Sequence, residues 1–323
     1  MVPELSVENA AEWLARHNLP TAGVHFAELG GGISNKVILA ESPGFRAVLK
    51  QSLGQLRTQS TWLSDRSRIL REAQAMRWLQ GKCPNVPRIL FGEPDTFTIA
   101  MEAAPANAAM WKTQLFGGKL DRTLAHTAGT ALASIISASW HNPEAERIFG
   151  DQTVFDELRL DPYYRFAAAS RPEAADYIQA LLNRTSQRRV SLVHGDWSPK
   201  NLLVAETNLW VIDWEVVHYG DPSFDVGFLL NHLLLKSLAM PQHHAALASL
   251  AESFLEGLAS GLPNDAIWVI AAGFEHLPAL MLARVDGKSP AEYLNSEMRS
   301  QARDTALALM KYPVQSTKEL FSR

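Results

Sequence analysis

The sequence predicts an α+β protein in two lobes: a small N-terminal lobe with an antiparallel sheet and a helix, and a larger, mainly helical C-terminal lobe. Three observations lead there. Short apolar runs bounded by Gly, Pro and polar turn signals fill the first hundred residues. Apolar residues at three-to-four spacing dominate beyond Ala103-Ala104-Pro105. At 323 residues the chain is too long for one small core. The boundary falls at Ala104, giving lobes 1–104 and 105–323.

In chain order, residues 6–18 form a helix, with Ser6 as N-cap, Val7, Ala10, Ala11 and Leu14 in helical register, and Pro20 beyond its end. Strands follow at 24–29, 36–40 and 45–50, the last two joined by the turn Ser42-Pro43-Gly44. Between the first two lies Gly30-Gly31-Gly32-Ile33-Ser34-Asn35. Residues without Cβ let backbone N–H groups come close to a phosphate. A glycine triplet alone is usually only a flexible turn, but this one sits a strand ahead of Ala47-Val48-Leu49-Lys50. Lys50 ends an apolar strand, where a cation needs a partner. Glu72 is the candidate, on a helix at 63–80; a surface lysine and a solvated glutamate are the plain alternatives. The polar stretch 54–60, with Arg57, has no readable role. Pro84 and Pro87 precede a fourth strand at 88–91, and a fifth runs 96–102.

The second lobe begins with a helix at 121–139, capped by Asp121. The stretch 141–164 reads as irregular, its aromatic and acidic mixture suited either to a substrate pocket or to a packed insertion. Further helices are expected at 173–185, 226–235, 241–260, 264–283 and 289–312. Adjacent His243 and His244 point about 100° apart on a helix with no carboxylate at ligand spacing, so they read as surface. Arg284 opens a polar interruption, 284–290, between apolar helices.

The chemistry concentrates in 192–227. Leu192 and Val193 run into His194-Gly195-Asp196, so a strand end delivers a carboxylate into a polar loop. Asn201 comes five residues later, and the apolar runs 202–204 and 209–212 form a hairpin that ends on Asp213. Asp196, Asn201 and Asp213 are hard oxygen donors of the kind Mg²⁺ prefers. The spacing matches the phosphotransfer pattern of a proton-accepting Asp, a metal-holding Asn and a later metal-holding Asp. Taken singly, the acids are turn formers at strand ends.

With His194-Gly195-Asp196, Asn201, Asp213-Trp214-Glu215, Gly220-Asp221-Pro222 and Phe224-Asp225-Val226-Gly227 in order, the chain resembles the aminoglycoside phosphotransferase and choline kinase superfamily, including its 5-methylthioribose kinases. The resemblance implies a protein-kinase-like fold, ATP and Mg²⁺ as cofactors, and transfer of the γ-phosphate to a hydroxyl of a small molecule that is aminoglycoside-, amino-alcohol- or sugar-like. It makes Asp196 catalytic and Asn201 and Asp213 metal ligands. Gly30, Gly31, Gly32, Ser34 and Asn35 would cover the phosphates, Lys50 would contact them and pair with Glu72, and Met101, Glu102, Ala103 and Ala104 would present hinge backbone to adenine. Glu215 is left between a second metal, substrate and a structural hydrogen bond. His218 and Arg284 are candidate substrate contacts, with packing and local charge pairing as their alternatives, and Asp225 is expected to anchor the Asp196 loop. Gly195 replaces the arginine of protein kinases, and Asp213 and Asp221 are too close for a peptide-binding segment, which disfavours a protein substrate.

Composition agrees. A hydrophobic fraction of 47% and a charged fraction of 20% are ordinary for a globular protein. Cys83 is the only cysteine, so no disulfide framework is expected and a cytoplasmic setting fits. Neither a secretory leader nor an uninterrupted apolar run long enough for a bilayer is read. A net charge of −4 without a basic stripe argues against nucleic acid. Residues 105–323 carry twenty-four acids against nineteen bases, a balance suited to a neutral or cationic substrate. A nucleotide-binding pseudokinase and a metal-dependent hydrolase are the other classes. Neither the acceptor, nor ATP against GTP, nor oligomeric state is written in the sequence.

Overall fold

The computed structural model describes residues 3–30, 35–54 and 65–322. It divides into two compact units, Met1–Ala108 with Ile212–Glu215, and Ala109–Val211 with Val216–Arg323.

The first unit is built on five antiparallel strands, β1 (His25–Glu28), β2 (Asn35–Ser42), β3 (Phe45–Ser52), β4 (Ile89–Glu93) and β5 (Thr98–Glu102), in the order β1-β2-β3-β5-β4. The two-residue period of a strand sends neighbouring side chains of β3 to opposite faces. Leu49 joins Trp13, Leu14, Ile38, Phe91 and Ala100 in a core formed with helix α1 (Ala10–Arg16). Lys50 therefore turns the other way, toward helix α2 (Arg68–Leu79), which packs on β3, β4 and β5. α1 starts at Ala10, later than expected, because Ser6 is not its cap. The Asn9 side chain instead accepts from the Ser6 N–H and donates to the Glu4 carbonyl, holding the chain in a turn ahead of the helix. The fifth strand is also shorter, since Pro94–Thr96 winds into a 3₁₀ turn and Phe97 adopts a left-handed φ of 53°.

In the second unit, strand β6 (Ala109–Met110) pairs with the hairpin β8 (Leu202–Ala205) and β9 (Asn208–Val211), while β7 (Ser191–Val193) pairs with β10 (His218–Gly220). The hairpin closes on Glu206-Thr207, with Glu206 at a left-handed φ of 55°. Helices make up most of the rest. Arg122–Ser139 lies against His244–Gly261 through two glycines: a Cβ on Gly129 would sit 2.1 Å from the Phe254 carbonyl oxygen, and one on Gly257 would sit 2.2 Å from that of His126.

The stretch 141–164 is helical, contrary to the expectation of irregular chain. Asn142 accepts from the Glu144 and Ala145 N–H groups and Pro143 opens Pro143–Phe149. Thr153–Phe155, Asp156–Arg165 and Phe166–Ser170 then form a continuous helical run whose middle is a π-helix containing Pro162. Charged residues and an internal proline hide the 3.6 period there, and the wider π turn tolerates a residue lacking N–H. The surface reading of His244 is likewise corrected: it is half-buried, with its Nε2 2.8 Å from the Phe321 carbonyl. Among the described residues one helical stretch, Asn264–Val285, is long and apolar enough by composition to cross a membrane, but 72% of its apolar window is buried within the protein. Glu275 and His276 interrupt its apolar residues, so no continuous run is seen in the sequence.

Candidate active site

In the first unit the chemistry gathers around Lys50. Pairing of β3 with β2 and β5 sets Lys50 opposite Val37 and Ile99. Its Nζ donates to Glu72 Oε2 at 2.8 Å and to Asp213 Oδ1 at 2.7 Å. Burial works against the charged ammonium, but Asp213, Glu72 and Glu215 outweigh it and hold the lysine protonated above its ordinary range. Glu215 Oε2 accepts from Asn35 Nδ2 at 3.0 Å and from Arg68 Nε at 3.2 Å. Arg68 is buried and also donates to the Asp65 and Leu53 carbonyls. The cluster brings three carboxyl groups and two cations together, with burial pushing the Glu72 carboxyl up to about 7 against the Lys50 charge, and its oxygens are the hard donors a divalent cation takes. Asp213 holds a left-handed φ of 69°, sparsely populated for a residue with a side chain and frequent where a backbone is bent to serve a site.

Gly31, Gly32 and Ser34 of the glycine turn lie outside the described residues, as do the first residues of the predicted 63–80 helix and most of 54–60. Gly30 follows β1, and Asn35, which opens β2, reaches Glu215. At the end of β5, the Glu102 side chain turns outward to Arg88, while Arg46 donates to the Ala104 carbonyl.

In the second unit β7 delivers the loop carrying Asp196. Asp225, fully buried, accepts from the His194 N–H at 2.7 Å and the Gly195 N–H at 2.9 Å, as an anchor of the loop should. Burial pushes its carboxyl up to about 7 against those two donors. Gly195 has φ +77°, and a Cβ there would lie 2.9 Å from Val216 Cγ1 and 3.1 Å from the Val216 carbonyl oxygen. Only glycine fits both demands. Asn201 Nδ2 donates to the Asp196 carbonyl at 3.0 Å, which leaves the amide oxygen as the group able to ligate a cation.

The Asp196 carboxylate is 3% exposed and ion-paired twice: Oδ2 lies 2.9 Å from Arg159 Nη2 and 2.9 Å from Lys200 Nζ. Burial would raise its pKa, but the Lys200 and Arg159 charges and the Lys200 hydrogen bond win and hold it well below the usual carboxylate range. Arg159 also donates through Nε to the Gly195 carbonyl at 2.7 Å, so one guanidinium braces both the loop and its acid. Sequence reading missed Arg159 because it lies in the stretch taken as irregular. It missed Lys200 because a lysine in a polar loop carries no pattern, and Arg68 because one turn before Glu72 it reads as helix surface.

His218 is buried in β10, stacked on Phe155 with ring centroids 3.9 Å apart and its Nδ1 3.2 Å from the Val216 carbonyl, the packed alternative for that residue. Arg284 donates to Ser289 Oγ at 2.7 Å, while its buried Nε has no hydrogen-bond partner among the described residues. Among the described residues no three His, Cys, Asp or Glu side chains form a metal cage.

A small antiparallel-sheet unit carrying a buried Lys–Glu pair, and a helical unit carrying a braced Asp loop, are the two parts of a kinase-like fold. The sequence profile of the phosphotransferase enzyme family matches residues 25–263, and the chain belongs to that family. Kinases of the family use ATP and Mg²⁺. The chain is 26% identical to a methylthioribose kinase of Enterobacter sp. (strain 638) over 267 residues, 74% of this chain and 66% of the relative. To methylthioribose kinase 1 of Oryza sativa subsp. japonica it is 26% identical over 245 residues, 67% of this chain and 57% of the relative. It therefore spans about two thirds or less of the length of these relatives. The fold is shared with an amicoumacin kinase solved with AMP-PNP and Ca²⁺ (TM-score 0.59, 16% identity, 93% of this chain and 92% of that one). It is shared too with a choline/ethanolamine kinase family protein from Mesorhizobium loti (TM-score 0.55, 18% identity, 98% and 97% covered). The protein-kinase-like fold is thereby established.

Proposed function

We propose that the chain is an ATP- and Mg²⁺-dependent kinase that transfers the γ-phosphate to a hydroxyl of a small molecule. The observation that carries this is Lys50 bonded at once to Glu72 and Asp213, which joins a phosphate-binding cation, its helix partner and a metal-holding acid in one cluster. In this reading Lys50 steadies the α- and β-phosphates, and the glycine turn from Gly30 to Asn35 covers them. Asn201 and Asp213 would hold Mg²⁺, which would supply positive charge against the nucleotide phosphates. Asp196 orients the acceptor hydroxyl and takes its proton, and Arg159 keeps that carboxylate ionised and in place. Catalysis of this kind is mostly positioning and charge neutralisation, so an acid held at low pKa serves well.

The relatives are named for methylthioribose, and a polyol-like acceptor is the extension to this chain. The nucleotide lobe is assigned to 1–104 with adenine at the Glu102–Ala104 backbone, and the catalytic lobe to 105–323. Cys83, whose thiol burial pushes up to about 12, fits a reducing cytoplasm. Coupled measurement of ADP release over a set of hydroxylated metabolites tests the reading. At least one should be turned over with Mg²⁺, and Asp196→Asn should lose that turnover while still binding nucleotide. Full turnover by Asp196→Asn would refute the assignment.

A further inference from the structure

Beyond Asp196, the second unit carries a run of basic and aromatic side chains that phosphate chemistry at the γ position does not account for. Arg159, paired with Asp196, lies over the rings of Tyr163 (5.7 Å) and Phe228 (5.9 Å). Phe228, His232 and Lys236 follow at four-residue intervals on helix Ser223–Ala239, and so share one face. The Phe228 and His232 rings are 5.3 Å apart, and Lys236 Nζ lies 3.4 Å from the His232 carbonyl. Lys236 is 1% exposed and sits between the rings of Phe116 (5.5 Å) and Tyr293 (5.4 Å). Among the described residues no carboxylate forms an ion pair with it, and its charged neighbours are Lys112 and Arg284. Among the described residues the Tyr293 hydroxyl and Arg284 Nε, both buried, have no hydrogen-bond partner.

A fold does not gain by burying a lysine against other cations, nor by leaving a phenol and a guanidinium nitrogen unbonded. Burial, Lys112 and Arg284 together push Lys236 down to about 7. The same charges act along the run: Arg159, Arg284 and Lys200 on Tyr163, and Lys236, Arg284 and Lys200 on His232, with Asp196 opposing them at both. This run of side chains is therefore basic, although residues 105–323 as a whole are acidic. The acidic surplus of 105–323 does not describe this place, and the cationic acceptor that surplus suited would be repelled here.

We propose that the acceptor is a hydroxylated small molecule bearing an oxyanion, a carboxylate or a phosphate ester, bound by Lys236, Arg284 and Tyr293 while its hydroxyl is served by Asp196. An oxyanion supplies acceptors for the guanidinium, the phenol and the ammonium at once. The hydroxyl half of this statement rests on the kinase reading; the anion half does not.

Four probes on one six-carbon skeleton separate the possibilities: D-glucitol, D-gluconate, D-glucitol 6-phosphate and D-glucamine. Binding to the full chain is measured calorimetrically with Mg²⁺ and AMP-PNP, and ADP release is measured with Mg-ATP. At least one of the two anions should bind tenfold or more tighter than glucitol, with glucamine weakest; which anion does so distinguishes carboxylate from phosphate. Lys236→Met and Arg284→Met should bring that anion to the level of glucitol. Lys236→Met should also melt no lower than the native chain, since it removes a buried unpaired cation; a lysine with a structural role would give a lower melting temperature. Glucitol or glucamine binding as well as both anions, or anion binding untouched by both variants, would overturn the proposal. Anion binding that persists with no nucleotide binding and no ADP release would refute the kinase reading instead.

Discussion

Gly195→Ala tests how tightly the Asp196 loop is built. An alanine must hold φ +77° and place its Cβ 2.9 Å from Val216 Cγ1 and 3.1 Å from the Val216 carbonyl oxygen. The left-handed backbone costs about 1 kcal/mol for a residue with Cβ. Relieving the contact means moving Val216 by a few tenths of an ångström or more, an overpacking cost of roughly 1–3 kcal/mol. The variant should thus lose about 2–4 kcal/mol in urea unfolding followed by tryptophan fluorescence, with Trp197 buried two residues away as reporter. Val216→Ala removes Cγ1 but not the carbonyl, so the double variant should regain about 1 kcal/mol relative to the sum of the singles. Displacing the loop should also lower turnover by roughly 10- to 100-fold. A Gly195→Ala chain within about 0.5 kcal/mol of native, or a strictly additive double variant, would refute the account of this loop.

Three further outcomes follow from the same geometry. Arg159→Met removes one of the two cations that hold Asp196 ionised, so turnover should fall and the acid limb of its pH profile should move up toward the ordinary carboxylate range; an unmoved limb contradicts the brace. His276 is buried and neutral between Tyr164 Oη (2.6 Å) and Ser223 Oγ (3.1 Å), with its pKa pushed down to about 3 by burial and then by Arg188 and Arg184. Because the unfolded chain takes up this proton near pH 6.5 and the folded chain does not, stability should fall by up to about 1.4 kcal/mol per pH unit from 6.5 down to 3, and His276→Gln should flatten that slope in denaturant titrations at several pH values. Gly257→Ala forces a Cβ to 2.2 Å from the His126 carbonyl oxygen and should lower the thermal midpoint markedly, by about 2 kcal/mol or more of stability; an unchanged midpoint would mean the two helices are free to part.

What could be read from the sequence and what could not divide along physical lines. Strand alternation put Lys50 at the end of an apolar run where a cation needs a partner, and the family resemblance pointed to Glu72 on the next helix, where the structure has the bond. The His194-Gly195-Asp196 loop was legible from its spacing to Asn201 and Asp213 and from the family resemblance, and Asp225 bonds the loop's N–H groups as expected of an anchor. Arg159 was not legible, since its helix hides behind charged residues, Pro162 and a π turn that breaks the usual period. Nor was the basic wall, because overall charge averages solvated helix faces with buried residues, and Lys236, Arg284 and Tyr293 come from distant parts of the chain. The first helix starts later than expected because the bond of Asn9 to Ser6 competes with the expected cap.

The central claim is that Lys50 and Asp213 serve a magnesium nucleotide. Calorimetric titration of AMP-PNP into the chain, with and without Mg²⁺, tests it most directly. One site whose affinity depends on Mg²⁺ is predicted, weakened at least tenfold in Lys50→Met and losing its magnesium dependence in Asp213→Ala. Nucleotide binding that ignores both substitutions, or no binding at all, would contradict it.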